Sequence, residues 1–380
     1  MRKLNLISLA VAAALVAPMA HADNGDTTLG GLIYADLTHQ STTNGSNDVD
    51  PSGNGLDVKR AYIIVTHTFT DVWSANITTD FNFPSYTATS TTTVTPPPAG
   101  TTVSTTTTVK SPETQLFIKN AYVQGKFDDL AVLRVGAEGT PWIPYAESIY
   151  GYRFVENTLI DRTEIGGIGS FGNSADWGVN VNGANSLWNY SASLLNGNGY
   201  KNPSRSKVMD FEGRVGATPI AGLIIGVGYY DGSLGQDTNA NQLAAESAPK
   251  GGVAQNDATR ENALVAWKAD GLTVGVEYFT AKNFSTKLIF TNTTDSEDGY
   301  TVYGSYDFTD VYSVFGRYDD VKPKKDTDSS LEDKYYNAGV SLKTDKNVTW
   351  ALAYKNETLK DSGTINVKFN ELGIWAQIKF

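Results

Sequence analysis

The chain has 380 residues, no cysteine, and a formal net charge of −11 from 41 acidic and 30 basic side chains. Such an acidic chain is poorly suited to neutralise a phosphate backbone, which argues against a nucleic-acid partner. A long chain without disulfides must be held by extensive backbone pairing or a large core, and its 20 Tyr, 7 Trp and 36 Gly suit many strands edged by aromatic residues.

The amino terminus reads as an export signal. Met1-Arg2-Lys3 precedes a short apolar run from Leu4 to Val16, and Ala20-His21-Ala22 forms a small-x-small cleavage site. The run is too short for a retained membrane helix, so residues 1–22 are expected to be removed. Loss of Arg2 and Lys3 leaves 28 basic against 41 acidic residues, or −13. No later stretch has the length and apolarity of a membrane helix, so the remaining chain either is soluble or crosses a membrane as strands.

Period-two alternation recurs along the chain. Trp73, Ala75, Ile77, Thr79 and Phe81 alternate with Ser74, Asn76, Thr78, Asp80 and Asn82. Leu272, Val274, Val276 and Tyr278 alternate with Thr273, Gly275 and Glu277, and similar patterns occupy 188–194, 336–343 and 348–355. This is the signature of strands with one apolar and one polar face. No comparable stretch shows a helical period. Connectors alternate between short turns, such as Thr70-Asp71, Asp270-Gly271 and Thr309-Asp310, and long loops at about 39–56, 83–114, 139–174, 197–206, 233–258, 283–298, 322–333 and 359–364. Phe69-Thr-Asp-Val-Trp-Ser74 is echoed by Phe308-Thr-Asp-Val-Tyr-Ser313 at two of the short turns.

Seven turns and eight loops join sixteen strands. The predicted fold is all-β: a transmembrane antiparallel β-barrel of sixteen strands over residues 23–380, wide enough for an aqueous lumen. A soluble sandwich would have to bury Arg60, Asp80, Arg134, Asp176, Asp210, Glu212, Arg214, Glu277 and Arg317 in its core, at high cost. The last strand ends on Phe380. Leu372, Ile374, Ile378 and Phe380 are expected to face lipid, and Glu371, Gln377 and Lys379 water. The aromatic terminus resembles the assembly signal of bacterial outer-membrane barrels. Residues 87–109, rich in Thr and carrying Pro96-Pro-Pro98, are expected to form a mobile surface loop.

Loop 139–174 holds the richest candidate site. It carries Glu147, Tyr150, Tyr152, Arg153, Glu156, Asp161, Arg162 and Glu164 and is too aromatic for a disordered linker. As the third long loop it is the candidate constriction, with Arg153 and Arg162 expected to face Glu147, Glu156 and Asp161. Arg60, Arg134 and Arg214 form the candidate basic wall, with Arg317, Tyr62 and Asp80 on the same lumen face. Acids outnumber bases on that face, with Asp36, Glu138, Asp307, Asp319, Glu357 and Glu371 adding to those above.

Val58-Lys-Arg-Ala-Tyr62, Phe117-Ile-Lys-Asn-Ala-Tyr122, Leu133-Arg-Val-Gly136, Gly151-Tyr-Arg-Phe-Val-Glu-Asn157, Asn196-Gly-Asn-Gly-Tyr-Lys201 and Asp210-Phe-Glu-Gly-Arg-Val-Gly216 resemble the phosphate-selective porin O and P family. The resemblance implies a trimeric sixteen-stranded outer-membrane channel without a cofactor, in contact with lipid and lipopolysaccharide, passing small solutes or inorganic anions along arginines and lysines. It points to Arg60, Tyr62, Arg134 and Lys119 as path residues. Strict alternation, however, places Lys119 with Ala121 and Val123 on the lipid face, so an inward Lys119 requires a bulge.

Other motifs carry less. Gly167-Ile-Gly-Ser-Phe-Gly172 lacks the strand–helix context of a dinucleotide site. Asp326, Asp328, Glu332 and Asp333 read as a solvated loop rather than a metal site. After signal removal only His39 and His67 remain, neither in a nucleophile motif, so no catalytic residue is assigned.

Overall fold

The computed structural model describes residues 25–82, 115–163, 170–238, 241, 257–284, 294–363 and 365–380. The signal segment 1–22, the Thr-rich segment 87–109 and Glu164 lie outside the described residues, as does the first half of the Gly167–Gly172 motif.

Sixteen strands form one closed antiparallel barrel in which every strand pairs with its sequence neighbours and β1 with β16. They are β1 (Asp26–Asn44), β2 (Asn47–Thr68), β3 (Trp73–Asn82), β4 (Gln115–Asp128), β5 (Ala131–Gly139), β6 (Ala175–Ala184), β7 (Trp188–Leu195), β8 (Asp210–Ile220), β9 (Leu223–Gly232), β10 (Ala258–Ala269), β11 (Leu272–Lys282), β12 (Ser296–Asp307), β13 (Tyr312–Lys322), β14 (Glu332–Asp345), β15 (Val348–Lys360) and β16 (Asn366–Lys379). One helix, α1 (Ile143–Tyr150), lies in the β5–β6 connector.

Alternation sets the two faces. In β11, Val274, Val276 and Tyr278 point outward and are exposed, while Gly275, Glu277 and Phe279 are buried inside. In β15, Trp350, Leu352 and Tyr354 point outward and Ala351, Ala353 and Lys355 inward. Such an apolar exterior is stable only against lipid. Aromatic residues mark its borders. Trp73 packs edge-on to Phe127 at 5.9 Å, and Tyr306 to Phe308 at 5.1 Å, near the turns. Tyr300 meets Tyr318 at 6.2 Å, and Tyr336 meets Tyr354 at 6.1 Å, toward the loops.

Two expectations need correction. The stretch 39–56 is a tall hairpin, with β1 running to Asn44 and β2 starting at Asn47. Pro51 reads as a strand breaker, but it sits in a register shift where the Thr42 hydroxyl donates to the Pro51 carbonyl at 2.5 Å, so no ladder N–H is missed. The interior is also not wholly aqueous. Along β9–β16 the inner face carries Tyr230, Phe279, Tyr303, Phe315 and Trp375, which pack against residues 142–160 and Phe171 in two buried clusters.

The closing seam runs from Leu32↔Lys379 to Asn44↔Val367. The terminal residue completes it: Gly31 N–H donates to the Phe380 carbonyl at 2.7 Å, and Phe380 N–H returns to Gly31 at 3.1 Å. The Phe380 ring lies over Gly31, where an added Cβ would come within 2.2 Å of it. Deleting Phe380 should therefore lower the folded fraction several-fold in a lipid-refolding assay read by gel mobility, with little change in the conductance of barrels that do fold. An unaltered folded fraction would contradict this role.

Candidate functional site

The connector after β5 turns into the lumen. Pro144 starts α1, and Gly151, at φ +80°, ends it with its N–H on the Glu147 carbonyl at 3.0 Å. An eight-residue helix with a proline in its first turn and a glycine just after it shows too little periodicity to be read as a helix in sequence. The helix lies against β9, where Gly226 and Gly228 make room. A Cβ there would stand 2.6 Å from the Tyr145 ring and 2.5 Å from the Trp142 ring. That Gly226-Val-Gly228 pair on an inward face was the available sequence signal for a docked element.

Carboxylates on the wall hold the connector. Trp142 donates its indole N–H to Glu277 at 2.7 Å and its backbone N–H to Glu212 at 3.0 Å. Glu212 also pairs with Arg260 at 3.2 Å, and Arg260 donates to the Phe171 carbonyl at 2.5 Å. Farther along, Arg162 meets Asp319 at 3.1 Å, Glu357 at 2.9 Å and Asp333. Glu156 pairs with Lys355 at 3.2 Å, and Lys355 with Glu371 at 3.0 Å. Tyr152 stacks on Phe315 at 4.1 Å and its hydroxyl meets Ser341 at 3.1 Å; Tyr150 packs edge-on to Tyr303 at 5.3 Å.

The expected arrangement within the loop therefore holds only for Arg153, which pairs with Glu147 and lies 3.8 Å from Asp161. Arg162 and Glu156 face the wall instead, because the wall supplies the opposite charges. Burial pushes the Glu147 and Asp161 carboxyls above the ordinary range, and Arg153 pulls both back. For Glu156, burial is outweighed by Lys355 and neighbouring cations, and its carboxyl sits below the ordinary range.

Arg317 does not line a water path. It is 4% exposed, paired with Asp319 at 2.5 Å, and bonded to the Asn157 carbonyl. The other candidate bases lie across the barrel, on β2 to β8. Arg60 pairs with Asp80 at 2.9 Å and keeps 19% of its side chain exposed; Arg134 pairs with Glu138 at 3.3 Å and keeps 32%. Arg214 donates to the Pro141 carbonyl at 2.9 Å and to Asn189, and stacks 4.0 Å from the Tyr145 ring centre.

Lys119 also points inward, contrary to strict alternation. The β3–β4 register pairs Thr78 with Asn120 and Thr79 with Ile118, so Lys119 is the extra residue of a bulge. Its ammonium donates to the Tyr62 hydroxyl at 3.0 Å, and Arg153 donates to the same oxygen at 3.1 Å.

Two cavities flank the connector. One of about 620 Å³ reaches the turn end of the barrel and is lined by Gln124, Arg134, Tyr145, Asn182, Asn189 and Arg214. Another of about 200 Å³ opens toward the loop end, between Arg60, Asn157, Asn173 and the 198–202 segment.

A closed sixteen-stranded barrel with a lipid-facing exterior and an inward-folded third loop is the architecture of Gram-negative outer-membrane porins. No protein-family model matches the chain, and no curated protein matches it. Solved structures do. The outer-membrane channel DcaP of Acinetobacter baumannii aligns with a TM-score of 0.58 at 12% identity, covering 94% of this chain and 98% of that one. An anion-selective porin from Comamonas acidovorans gives 0.57 at 9% identity, covering 94% and 100%. OmpT, an outer membrane protein of Vibrio cholerae, gives 0.55 at 14% identity, covering 96% and 100%. At these identities the likeness is one of fold.

Replacing Arg162 with Ala removes the cation shared by three wall carboxylates. Breaking such a buried pairing costs about 3–5 kcal/mol. The connector should come free: single-channel conductance should rise and fluctuate, and residues 140–163 should become protease-sensitive in the folded barrel. Gly228→Leu should act similarly by displacing Trp142. Unchanged conductance and protection in both would contradict the anchoring role.

Proposed function

We propose that this protein is a passive outer-membrane porin for small polar solutes, with a preference for anions. The carrying observation is the division of the lumen wall. On β8–β16, Glu212, Asp319, Asp333, Glu357 and Glu371 lie under or beside the connector and pair with Arg162, Arg260, Arg317 and Lys355, while Glu277 accepts the Trp142 indole. Across the barrel, Arg60 and Arg134, though paired with Asp80 and Glu138, keep 19% and 32% of their side chains exposed, and Arg214 on β8 lines the open cavity at the edge of the connector. The selectivity of a channel follows the charges its solute meets at the narrowest section, not the net charge of the chain.

A phosphate-specific channel is the second reading. It is favoured by Lys119, which is 9% exposed and has Tyr62 but no carboxylate as its partner among the described residues. Saturating block of chloride current by phosphate would support specificity.

Trimeric assembly fits the exterior. Ala35, Ala61, Ala75, Ala121 and Ala376 leave the β16–β4 face flat, whereas β11–β15 carry outward tyrosines. Small residues permit close approach of two barrels, and one of the aligned Vibrio cholerae OmpT structures is a trimer form. Outer-membrane lipid and lipopolysaccharide are the partners this exterior and its loops would meet. We assign no catalysis: His39 bonds Asn54 at 3.0 Å and His67 bonds Thr27 at 2.8 Å, both in exposed settings.

The test is reversal potential in a planar bilayer under a salt gradient. Wild type should favour chloride over potassium, and Arg60→Glu with Arg134→Glu should shift the preference toward potassium by at least several-fold. An unmoved reversal potential would contradict the assigned basic wall.

A further inference from the structure

We infer that the smaller cavity, on the loop side of the constriction, is a binding subsite for a hydroxylated organic anion such as a sugar acid or sugar phosphate. This rests on the channel reading above and specifies what such a channel would take up.

The cavity, about 200 Å³, has two cations, Arg60 and Lys201, and the amides of Asn157, Asn173, Asn198 and Asn202 at its edge; its one carboxylate, Asp161, is turned toward Arg153 at 3.8 Å. Its floor is held rigidly. Asp176 accepts the backbone N–H groups of Gly197 at 2.8 Å and Gly199 at 3.2 Å. Tyr200 N–H donates to the Ala175 carbonyl at 3.0 Å, and its hydroxyl donates to Asp80 at 2.9 Å. These bonds fix the segment that carries Lys201 and Asn202.

Lys201 has no ion pair or hydrogen bond among the described residues. Its ammonium lies 5.0 Å from the Phe117 ring and 5.7 Å from the Tyr200 ring. Half-buried, beside a second cation and with no carboxylate in direct contact, its ammonium has donors free for an anion. Arg60 spends only Nη1 on Asp80, leaving donors toward the cavity.

The amides decide the class. The side chains of Asn173 and Asn202 have no hydrogen-bond partner in the described structure, and each offers two donors and an acceptor. Inorganic phosphate brings only one or two P–OH donors to these acceptors, whereas a sugar acid or sugar phosphate brings several hydroxyls that both donate and accept. The cavity has room for about six or seven waters at ~30 Å³ each, more than one phosphate fills and close to one monosaccharide. An apolar solute would find no matching wall here.

The experiment is block of chloride current through wild type, Lys201→Gln and Asn202→Ala, read against each channel's own open current. The probes are gluconate, glucose 6-phosphate, inorganic phosphate and glucose, added on the loop side. Gluconate or glucose 6-phosphate should block at concentrations at least tenfold below glucose and below inorganic phosphate; the better of the two identifies the headgroup. Lys201→Gln should raise that half-blocking concentration about tenfold, and Asn202→Ala about threefold, the latter without altering the weak phosphate block. Equal block by inorganic phosphate, or block indifferent to both substitutions, would overturn the inference. A wild-type protein that carries no current would instead remove the porin reading itself.

Discussion

The docking of the third loop onto one wall governs the character of this barrel. A sixteen-stranded cylinder can leave a wide aqueous lumen, and its inner face then needs only to be polar. Here one side of that face also carries large aromatic side chains among its charges. Phe279, Tyr303, Phe315 and Trp375 point inward from β11, β12, β13 and β16 and are buried under residues 142–160 and Phe171. The loop is thus part of the core, and the wall beneath it is built to receive it. Apolar contact supplies area, while Glu212, Glu277, Asp319, Asp333 and Glu357 supply register by accepting donors at fixed positions along the loop.

That docking also resolves the acidic balance. A chain with 41 acidic and 30 basic residues looks unsuited to anions. The count misleads because charges in a folded channel are not equivalent. A carboxylate held against an arginine beneath a packed loop contributes little to the field in the water path, since its partner lies within a few ångströms. The bases across the barrel keep part of their side chains in contact with the open space. Charge asymmetry within the lumen comes from which wall the loop covers.

Much of the architecture could be read from the chain. Period-two patterns gave the strands, two classes of connector gave their number and direction, and Leu372 and Ile374 of the terminal strand take the outward face assigned to them, although Glu371, assigned to water, is buried against Lys355. What escaped was local irregularity and distant pairing. Alternation alone puts Lys119 on the lipid face with Ala121 and Val123; it points inward through the one-residue bulge that such a placement required, and Val123 keeps its outward face. Pro51 and the glycines around it look like a loop, yet they lie in a bulged hairpin. Arg162 finds Asp319 and Asp333 across 157 and 171 residues of sequence, a separation at which no spacing rule operates. It was therefore assigned to acids of its own loop, the nearest in sequence.

The absence of native cysteine permits a direct measurement of which wall the water path follows. A single cysteine at Gln124, which lines the larger cavity, can be compared with one at Thr301, buried on the inner face of β12 at 2% exposure. In the folded barrel, a small charged thiol reagent should modify Gln124→Cys at least a hundredfold faster than Thr301→Cys, and the first reaction should lower conductance. Similar rates at the two positions would show that the loop does not cover the acidic wall, and the account of the divided lumen would fail.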